Sequence, residues 1–239
     1  MKLDILVFAA HPDDAELACG GTIAKYVAMG KKIGIVDLTQ GELSSRGDVP
    51  TRKKETENSS KILGITIREN LLYRDGFFEI DEQHLLGIIK KIRKYQPELI
   101  LCNAIKDRHP DHSRAGELVA RANFLSGLLK IESLEGMEKQ KSWRARKLFH
   151  YIQEQYVEPS FVVDISNFIE QKIDSIRAFE SQFYKSDATN EPKTKISSED
   201  YIDFIIARSK EMGNQCNFEY AEGFSCNTII GVDNIFDIH

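Results

Sequence analysis

Short apolar runs alternate with amphipathic helical patterns along the first 130 residues of the chain. The runs at residues 3–10 and Ile33–Thr39 are almost entirely apolar, as in strands buried on both faces of a sheet. Farther along the chain, Leu85, Ile88, Ile89 and Ile92 recur at the i, i+3, i+4, i+7 spacing of a helix that buries one face. Strands that alternate with helices form a parallel sheet covered on both faces. The sequence therefore predicts a Rossmann-like α/β fold, with residues 1–239 as one domain.

The elements follow from the same patterns. The predicted strands are residues 3–10, Ile33–Thr39, 99–103, 148–152 and 161–165. The predicted helices are residues 15–29 and 52–63, with further helical stripes that begin at Leu85, Ala115, Ile169 and Tyr201; the stripe from Ile169 runs to Phe183. Residues 40–51 and 185–200 are polar and predict loops. A long polar loop in a compact domain is disordered or functional.

Composition narrows the class of protein. Of 239 residues, 41% are hydrophobic and 29% charged, which is typical of a folded globular chain. The formal net charge of −5 disfavours a nucleic-acid binder, and no apolar run approaches the ~20 residues of a membrane span. Residues 3–10 make a poor signal peptide, and the four cysteines lack C-x-x-C spacing. We therefore expect a cytoplasmic protein that binds neither nucleic acid nor membrane.

Two polar motifs follow predicted strands. His-Pro-Asp-Asp-Ala-Glu occupies residues 11–16 after the first strand, and His-Pro-Asp-His occupies residues 109–112 after the strand at 99–103. Ligand sites of parallel sheets lie outside the carboxyl ends of the strands, so the two motifs are predicted to meet there. Gathering so many polar groups at one edge is costly unless a metal or a substrate uses them.

The residue types in these motifs suit a catalytic metal site. A catalytic zinc typically has three protein ligands and one open position for water. His11, Asp14 and His112 would supply two imidazoles and a carboxylate, with Asp13 or His109 as a further potential ligand. The metal would lower the pKa of its water toward ~7 and polarise a substrate carbonyl. Asp13 would then act as the general base for that water.

His109 and Asp111 complete the predicted catalytic group. His109 would stabilise an oxyanion or protonate a leaving amine, and Asp111 would hydrogen-bond its far ring nitrogen, fixing its tautomer and favouring its charged form. A structural interpretation stays open as well. Asp13 and Glu16 have the spacing of a helix capping pair, and Asp111 or Ser113 would suit the cap of the next helix.

At these residues the sequence resembles the LmbE-like (PIG-L) zinc N-deacetylases, and the resemblance spans nearly the whole chain. It extends to Gly41 and Glu42, to Arg52, and to residues 220–224. The branch that it resembles most removes acetate from N-acetylglucosaminyl malate in bacillithiol biosynthesis. The resemblance implies attack of a metal-bound water on the acetamide carbonyl, Zn²⁺ with Fe²⁺ as an alternative, and a homo-oligomer, either a trimer or a hexamer.

The resemblance also implies individual roles. His11, Asp14 and His112 would bind zinc, Asp13 would be the base, and His109 would be its electrostatic or acid partner, supported by Asp111. For the substrate, the guanidinium of Arg52 suits a malate carboxylate, and Arg46 has the same chemistry. Tyr184, at the head of the second polar loop, is a candidate substrate contact.

Other functions remain open at this point. The reacting amide also occurs in N-acetylglucosamine and in chito-oligosaccharides. Two histidines and a carboxylate also form the triad of non-haem iron oxygenases. A nucleotide-sugar-binding protein would use the same sheet, although no G-x-G-x-x-G motif is present. Glu222 is either a partner of the site or a surface charge, and Gly20 and Gly21 predict close packing of the first helix.

Overall fold

A seven-stranded sheet forms the centre of the computed structural model, which describes residues 1–183 and 192–238. The strands in this part of the chain are β1 (Ile5–Ala9), β2 (Ile33–Thr39), β3 (Ile67–Tyr73), β4 (Leu99–Cys102), β5 (Leu134–Glu135), β6 (Glu138–Lys139), β7 (Lys147–Tyr151), β8 (Phe161–Asp164) and β9 (Ala221–Ser225). The helices are α1 (Asp14–Ala28), α2 (Val49–Leu63), α3 (Glu82–Tyr95), α4 (Pro110–Ser126), α5 (Ile169–Arg177) and α6 (Tyr201–Asn214). Single 3₁₀ turns span Ser166–Phe168 and Ile235–Asp237.

The strand order is β3-β2-β1-β4-β7-β9-β8. The first five of these strands pair in parallel, and β9 pairs antiparallel with both β7 and β8. Strands β5 and β6 form a separate hairpin. The predicted α/β fold with a mostly parallel sheet is therefore confirmed. The carboxyl ends of β1, β2, β3, β4 and β7 lie along one edge of the sheet.

Strand β1 is fully buried, and its side chains alternate between the two faces. Leu6 and Phe8 pack in the core beneath α3 and α4, whereas Ile5 and Val7 pack in the core beneath α1. Helices α1, α2 and α5 contact one another on that second face. The sheet is thus covered on both sides, as the apolar runs predict. No helix in the described residues is both long and apolar enough to cross a membrane.

Helix α1 is interrupted at Cys19, whose φ of −137° is not helical. The backbone N–H groups of Gly21 and Thr22, which follow the break, donate to the Glu222 carboxylate over 3.0 and 2.7 Å. A Cβ on Gly21 would come within 2.7 Å of the Ile165 side chain, so the predicted close packing at this glycine is confirmed.

Glu222 is buried, and its carboxylate lies 2.6 Å from Nζ of Lys172, which is buried too. Of the two roles considered for Glu222, the surface charge is therefore wrong. Its carboxylate satisfies the backbone donors that the break in α1 releases.

The elements differ from the sequence prediction in several places: strands β3 and β9 and the hairpin of β5 and β6 were not predicted, helix α5 is shorter than expected, and the first polar loop ends earlier. Strand β3 was not expected, because its sequence carries charged residues; Arg68 is nevertheless buried against Asp37, and Glu69 binds Lys91. Helix α5 ends at Arg177, short of the predicted Phe183, and residues 185–191 of the second predicted loop lie outside the described residues.

The loop after β2 is shorter than the predicted residues 40–51, because α2 begins at Val49. The Asp48 carboxylate accepts a hydrogen bond from the backbone N–H of Thr51 and caps this helix. Pro50 in the first turn is compatible with a helix start, because its missing N–H would have no partner there.

Candidate active site

The first motif turns directly from β1 into α1. Asp13 has φ = 118° and ψ = −25°, in the region that favours glycine. Within the described residues its carboxylate makes no capping bond, and the Glu16 carboxylate binds Ser59 and Arg68 instead. The capping-pair interpretation of Asp13 and Glu16 is therefore wrong. The turn leaves the Asp13 carboxylate on the cavity side of the helix start.

The second motif begins α4. His109 is the N-cap residue, and its Nδ1 accepts a hydrogen bond from the backbone N–H of Asp111 over 3.2 Å. Ser113 Oγ accepts from the backbone N–H of Asp107. The expectation that Asp111 or Ser113 caps this helix is wrong, because both side chains are bonded elsewhere. The imidazole of His109 fills that position.

The structure brings together the three predicted metal ligands. Nδ1 of His11 lies 3.5 Å from one Asp14 carboxylate oxygen, and Nε2 of His112 lies 3.2 Å from the other. Ligand atoms ~2.0–2.2 Å from a tetrahedral zinc are roughly 3.3–3.5 Å apart, so these spacings suit ligands of one cation. One nitrogen each from His11, His109 and His112 also lie within 4.8 Å of one another. The donor set therefore fits a divalent metal.

Two carboxylates that the sequence analysis missed orient these imidazoles. Asp75 Oδ1 lies 3.0 Å from Nε2 of His11, and Asp107 Oδ2 lies 2.6 Å from Nδ1 of His112. Each carboxylate is placed to accept the proton of one ring nitrogen, so that in the neutral, metal-binding form of the ring the lone pair of the other nitrogen faces Asp14. Carboxylates placed in this way raise the basicity of histidine ligands.

Three hydrogen bonds fix the position of the Asp14 carboxylate. Its carboxylate accepts hydrogen bonds from Nδ2 of Asn103, from Nε2 of Gln153 and from the backbone N–H of His11. Burial alone would raise the pKa of Asp14, but His112 and His11 outweigh it and hold the pKa well below its usual range. The carboxylate is therefore ionised, as a metal ligand must be.

Asp13 lies beside a buried guanidinium. Nη2 of Arg52 is 3.2 Å from the Asp13 carboxylate, and both side chains are buried. Burial raises the pKa of Asp13 to about 7, while the charge of Arg52 opposes that rise. A carboxylate with a pKa near neutrality is suited to take up and release a proton. Nε and Nη1 of Arg52 find no hydrogen-bond partner in the described parts of the chain.

The structure corrects the expected pairing of His109 and Asp111. The Asp111 carboxylate accepts from the backbone N–H of Gly76 and from Arg114, both over 2.8 Å, and lies 3.4 Å from Nε2 of His11. It therefore does not hold the far ring nitrogen of His109. Burial lowers the pKa of His109, and His11 and His112 lower it further, so the neutral imidazole is favoured over the expected charged form.

A cavity of about 660 Å³ opens over these residues. His11, Asp13, Asp14, His109 and His112 all line it.

The three predicted substrate residues differ in where they lie. Arg52 lines this cavity. Arg46 is buried in the loop between β2 and α2, where its backbone carbonyl accepts a hydrogen bond from the side chain of Gln182. Tyr184 lies outside the described residues.

Asp75 and Asp107 left different signals in the sequence. Asp75 follows β3, so it would have been found if that strand had been predicted. Asp107 lies five residues before His112, in the same strand-to-helix loop as the second motif. A carboxylate so close to a predicted ligand was a usable signal.

Two imidazoles and two carboxylates around one cavity, at the carboxyl edge of a parallel sheet, are suited to hold a divalent metal and to activate water, as in metal-dependent hydrolases. The sequence model of the family described as PIG-L, GlcNAc-PI de-N-acetylase, matches residues 6–123. The chain is 36% identical to the conserved protein TT1542 from Thermus thermophilus. That crystal structure superposes with a TM-score of 0.85 over 97% of this chain and 98% of the other.

Two curated relatives carry names of deacetylases. Diacetylchitobiose deacetylase of Thermococcus kodakarensis is 29% identical over 75% of this chain and 70% of its own length. A probable N-acetyl-α-D-glucosaminyl L-malate deacetylase 2 of Bacillus anthracis is 27% identical over 75% of this chain and 81% of its own length. The chain belongs to the PIG-L (LmbE-like) family. The predicted enzyme class, an N-deacetylase that hydrolyses N-acetyl amides, is confirmed.

Proposed function

We propose that this enzyme removes the acetyl group from an N-acetylglucosaminyl conjugate, and that N-acetylglucosaminyl malate is its preferred substrate. The observation that carries the proposal is the position of Asp13 beside the group formed by His11, Asp14 and His112, inside one cavity. This arrangement places a proton acceptor next to the site where a cation would bind. Metal-assisted hydrolysis of an amide uses both groups.

His11, Asp14 and His112 would hold a divalent cation, for which we propose Zn²⁺; when bound, it would supply Lewis acidity and lower the pKa of a water molecule. Asp13 takes a proton from the attacking water as the new carbon–oxygen bond forms. The Nδ1 atom of His109 accepts the N–H of Asp111, so the neutral ring carries its proton on Nε2. That N–H is available to stabilise the negative oxygen of the tetrahedral transition state. Asp13 then passes its proton to the departing amine as the carbon–nitrogen bond breaks.

Cationic side chains that line the cavity support the proposal that the substrate is an acidic conjugate. Arg52, Arg108 and Lys195 all line it, and about half of the Arg108 and Lys195 side chains is exposed. Glu154 is shared between the latter two. The malate portion carries two carboxylates, for which guanidinium groups are suitable partners. The relative from Bacillus anthracis, whose name specifies the malate conjugate, adds support.

Two further expectations stay predictions. A homo-oligomer, either a trimer or a hexamer, is expected from the family resemblance, and a cytoplasmic location is expected from the cysteine usage. Analytical ultracentrifugation tests the first of these.

The direct experiment is release of free amine by zinc-loaded protein. N-Acetylglucosaminyl malate and N-acetylglucosamine are compared at equal concentration, with Asp13→Asn as the control variant. We expect faster release from the malate conjugate and near-complete loss in Asp13→Asn, with its metal content unchanged. Equal rates on the two substrates would contradict the preference for malate. No release from either substrate, by protein shown to hold metal, would overturn the proposed function.

A further inference from the structure

A second, much smaller cavity lies between α1, α5, α6 and β9. Its volume is about 10 Å³, and Lys172, Arg208, Glu222 and Gly223 are among the residues that line it. In the described part of the chain, no residue lines both this cavity and the catalytic one. A water-sized occupant needs roughly 10–15 Å³, so this cavity has room for one small molecule or ion.

The small cavity collects more positive than negative charge. Lys172 and Arg208 are cations, whereas Glu222 is the only carboxylate among the described residues that line it. Glu222 pairs with Lys172 over 2.6 Å, and Arg208 forms no ion pair with any residue that the structure describes. Burial lowers the pKa of both cations, and the carboxylates around them do not offset it. A buried charge without a counter-ion is costly.

The groups that lack a hydrogen-bond partner at this cavity are donors. Nη2 of Arg208 donates to the carbonyl of Leu17 over 3.3 Å, but Nη1 has no partner among the described residues. The ammonium of Lys172 has three N–H groups and, in the same part of the chain, one acceptor, Oε1 of Glu222. Both Glu222 oxygens already accept backbone N–H groups at the break in α1. A water molecule would add two protons that need acceptors, whereas a halide ion accepts hydrogen bonds and donates none.

We propose that this small cavity binds one monovalent anion, and that chloride is its occupant in the cell. The ion would accept hydrogen bonds from Nζ of Lys172 and Nη1 of Arg208 and would neutralise the excess positive charge. Carboxylates, sulfate and phosphate have at least three heavy atoms and are too large for the cavity. Met212 also lines it, and its flexible thioether can shift for an ion slightly larger than water.

The position of the two cations gives the anion a structural role. Lys172 lies on α5 and Arg208 on α6, so the ion would join these helices beside the break in α1. An ion that binds only the folded chain stabilises it by mass action. The protein should therefore be more stable in chloride than in a salt whose anion cannot enter the cavity.

Bromide is the probe for the position of the ion, because it scatters X-rays anomalously. Crystals of the wild type and of Arg208→Met are soaked in sodium bromide, and data are collected at the bromine absorption edge. We expect an anomalous peak between Lys172 and Arg208 in the wild type and none there in Arg208→Met. The lack of a peak at this place in wild-type crystals would overturn the proposal.

The free energy of unfolding in urea measures what the ion contributes. Chloride is varied while sodium gluconate keeps the ionic strength constant, so that screening does not change. One site raises the folding equilibrium constant by up to tenfold for each tenfold rise in chloride. We expect this response in the wild type and not in Arg208→Met. Equal stability in chloride and gluconate would mean that any bromide peak is an adventitious ion only, and would refute the site.

Two further variants separate the cavity from surface charge. Lys210→Met removes an exposed cation from the same helix and should keep the chloride response. Gly223→Ala keeps both cations but adds a methyl group, which would lie 3.1 Å from Sδ of Met212 and 3.2 Å from Cδ1 of Ile152, two residues that line the cavity. It should lose the response. A response retained in Arg208→Met or in Gly223→Ala would contradict the site. None of these measurements depends on catalysis, so the result is independent of the proposed function.

Discussion

Nη2 of Arg52 lies 3.2 Å from the carboxylate of Asp13, and the two buried side chains form an ion pair beside the predicted metal ligands. The charge of Arg52 opposes the effect of burial, which raises the pKa of Asp13 to about 7. Arg52 thus favours the ionised form of Asp13, the proposed base. This contact gives Arg52 a role that does not depend on touching the substrate.

Substitution Arg52→Met should move the pH profile of the reaction. Without the guanidinium, the pKa of Asp13 rises further, so a smaller fraction of the base is ionised at pH 7. We expect the acidic limb of the kcat/KM profile to shift to higher pH and activity at pH 7 to fall. Lys53→Met, which removes an exposed cation from the next position of α2, serves as the control. An unchanged limb in Arg52→Met would contradict this role.

Asp107→Asn should weaken metal binding. The Asp107 carboxylate accepts the Nδ1 proton of His112 over 2.6 Å, and an amide at this position no longer fixes the ring by a charged hydrogen bond. Loss of such a partner typically costs 10- to 100-fold in metal affinity. Competition with a chromophoric chelator measures the dissociation constant. Asp203→Asn, at an exposed position of α6, should leave it unchanged, and an unaltered constant in Asp107→Asn would refute the prediction.

Glu222→Gln should destabilise the protein strongly. It leaves Lys172 charged and buried without its partner, and breaking such a pair typically costs about 3–5 kcal/mol. Urea unfolding measures the free energy of unfolding. Combining Glu222→Gln with Lys172→Met removes the unpaired charge and retains an oxygen for the N–H groups at the break in α1, so part of the loss should be recovered. Glu98→Gln, in the exposed pair with Lys2, should cost less than about 0.5 kcal/mol.

The hydrogen bonds of the Glu69 carboxylate should stabilise the folded protein at neutral pH and lose this effect in acid. Partial burial alone would raise its pKa, but hydrogen bonds from Lys91, Tyr95 and Lys94 outweigh burial and lower the pKa to about 2. A depressed pKa stabilises the folded state above the unfolded-state value of ~4.3, and this contribution is lost as the pH falls toward 2.

In Glu69→Gln we therefore expect a loss of about 1 kcal/mol at pH 7, limited by solvent screening. The difference from the wild type should shrink between pH 5 and pH 3 in urea titrations. A difference that stays constant over this range would rule out the carboxylate as its source. Glu117→Gln, which removes an exposed pair with Arg121, should show little effect at any pH.

The sequence predicted the sheet well, because buried parallel strands have continuous apolar runs that polar segments do not imitate. It missed two of the seven strands, β3 and β9. Strand β3 was missed because Arg68 and Glu69 are charged and their partners, Asp37 and Lys91, become neighbours only through tertiary packing. The site followed the same rule. The local motifs predicted the metal ligands and the base. Asp75 was missed because the strand that precedes it was not predicted.

The pairing of Asp111 could not be predicted for a related reason. Its carboxylate is bound by the backbone N–H of Gly76, which lies 35 residues away in the chain, and by Arg114. Sequence proximity favoured His109, but hydrogen bonds to a distant loop determine where the carboxylate lies. The role of Glu222 at the break in α1 is equally long-range, since 201 residues separate it from Gly21.

At Asp13, stability and the proposed activity make opposite demands: the left-handed backbone costs folding free energy, but it places the carboxylate in the cavity. A residue with a side chain pays about 1–3 kcal/mol for such a conformation, and here it also buries a carboxylate. Asp13→Gly relieves both costs but leaves the buried guanidinium of Arg52 without its carboxylate, so the gain should appear only together with Arg52→Met. In that double variant the midpoint of thermal unfolding should rise while turnover disappears. A library of variants selected only for heat resistance would therefore enrich inactive enzyme with changes at residues 13 and 52.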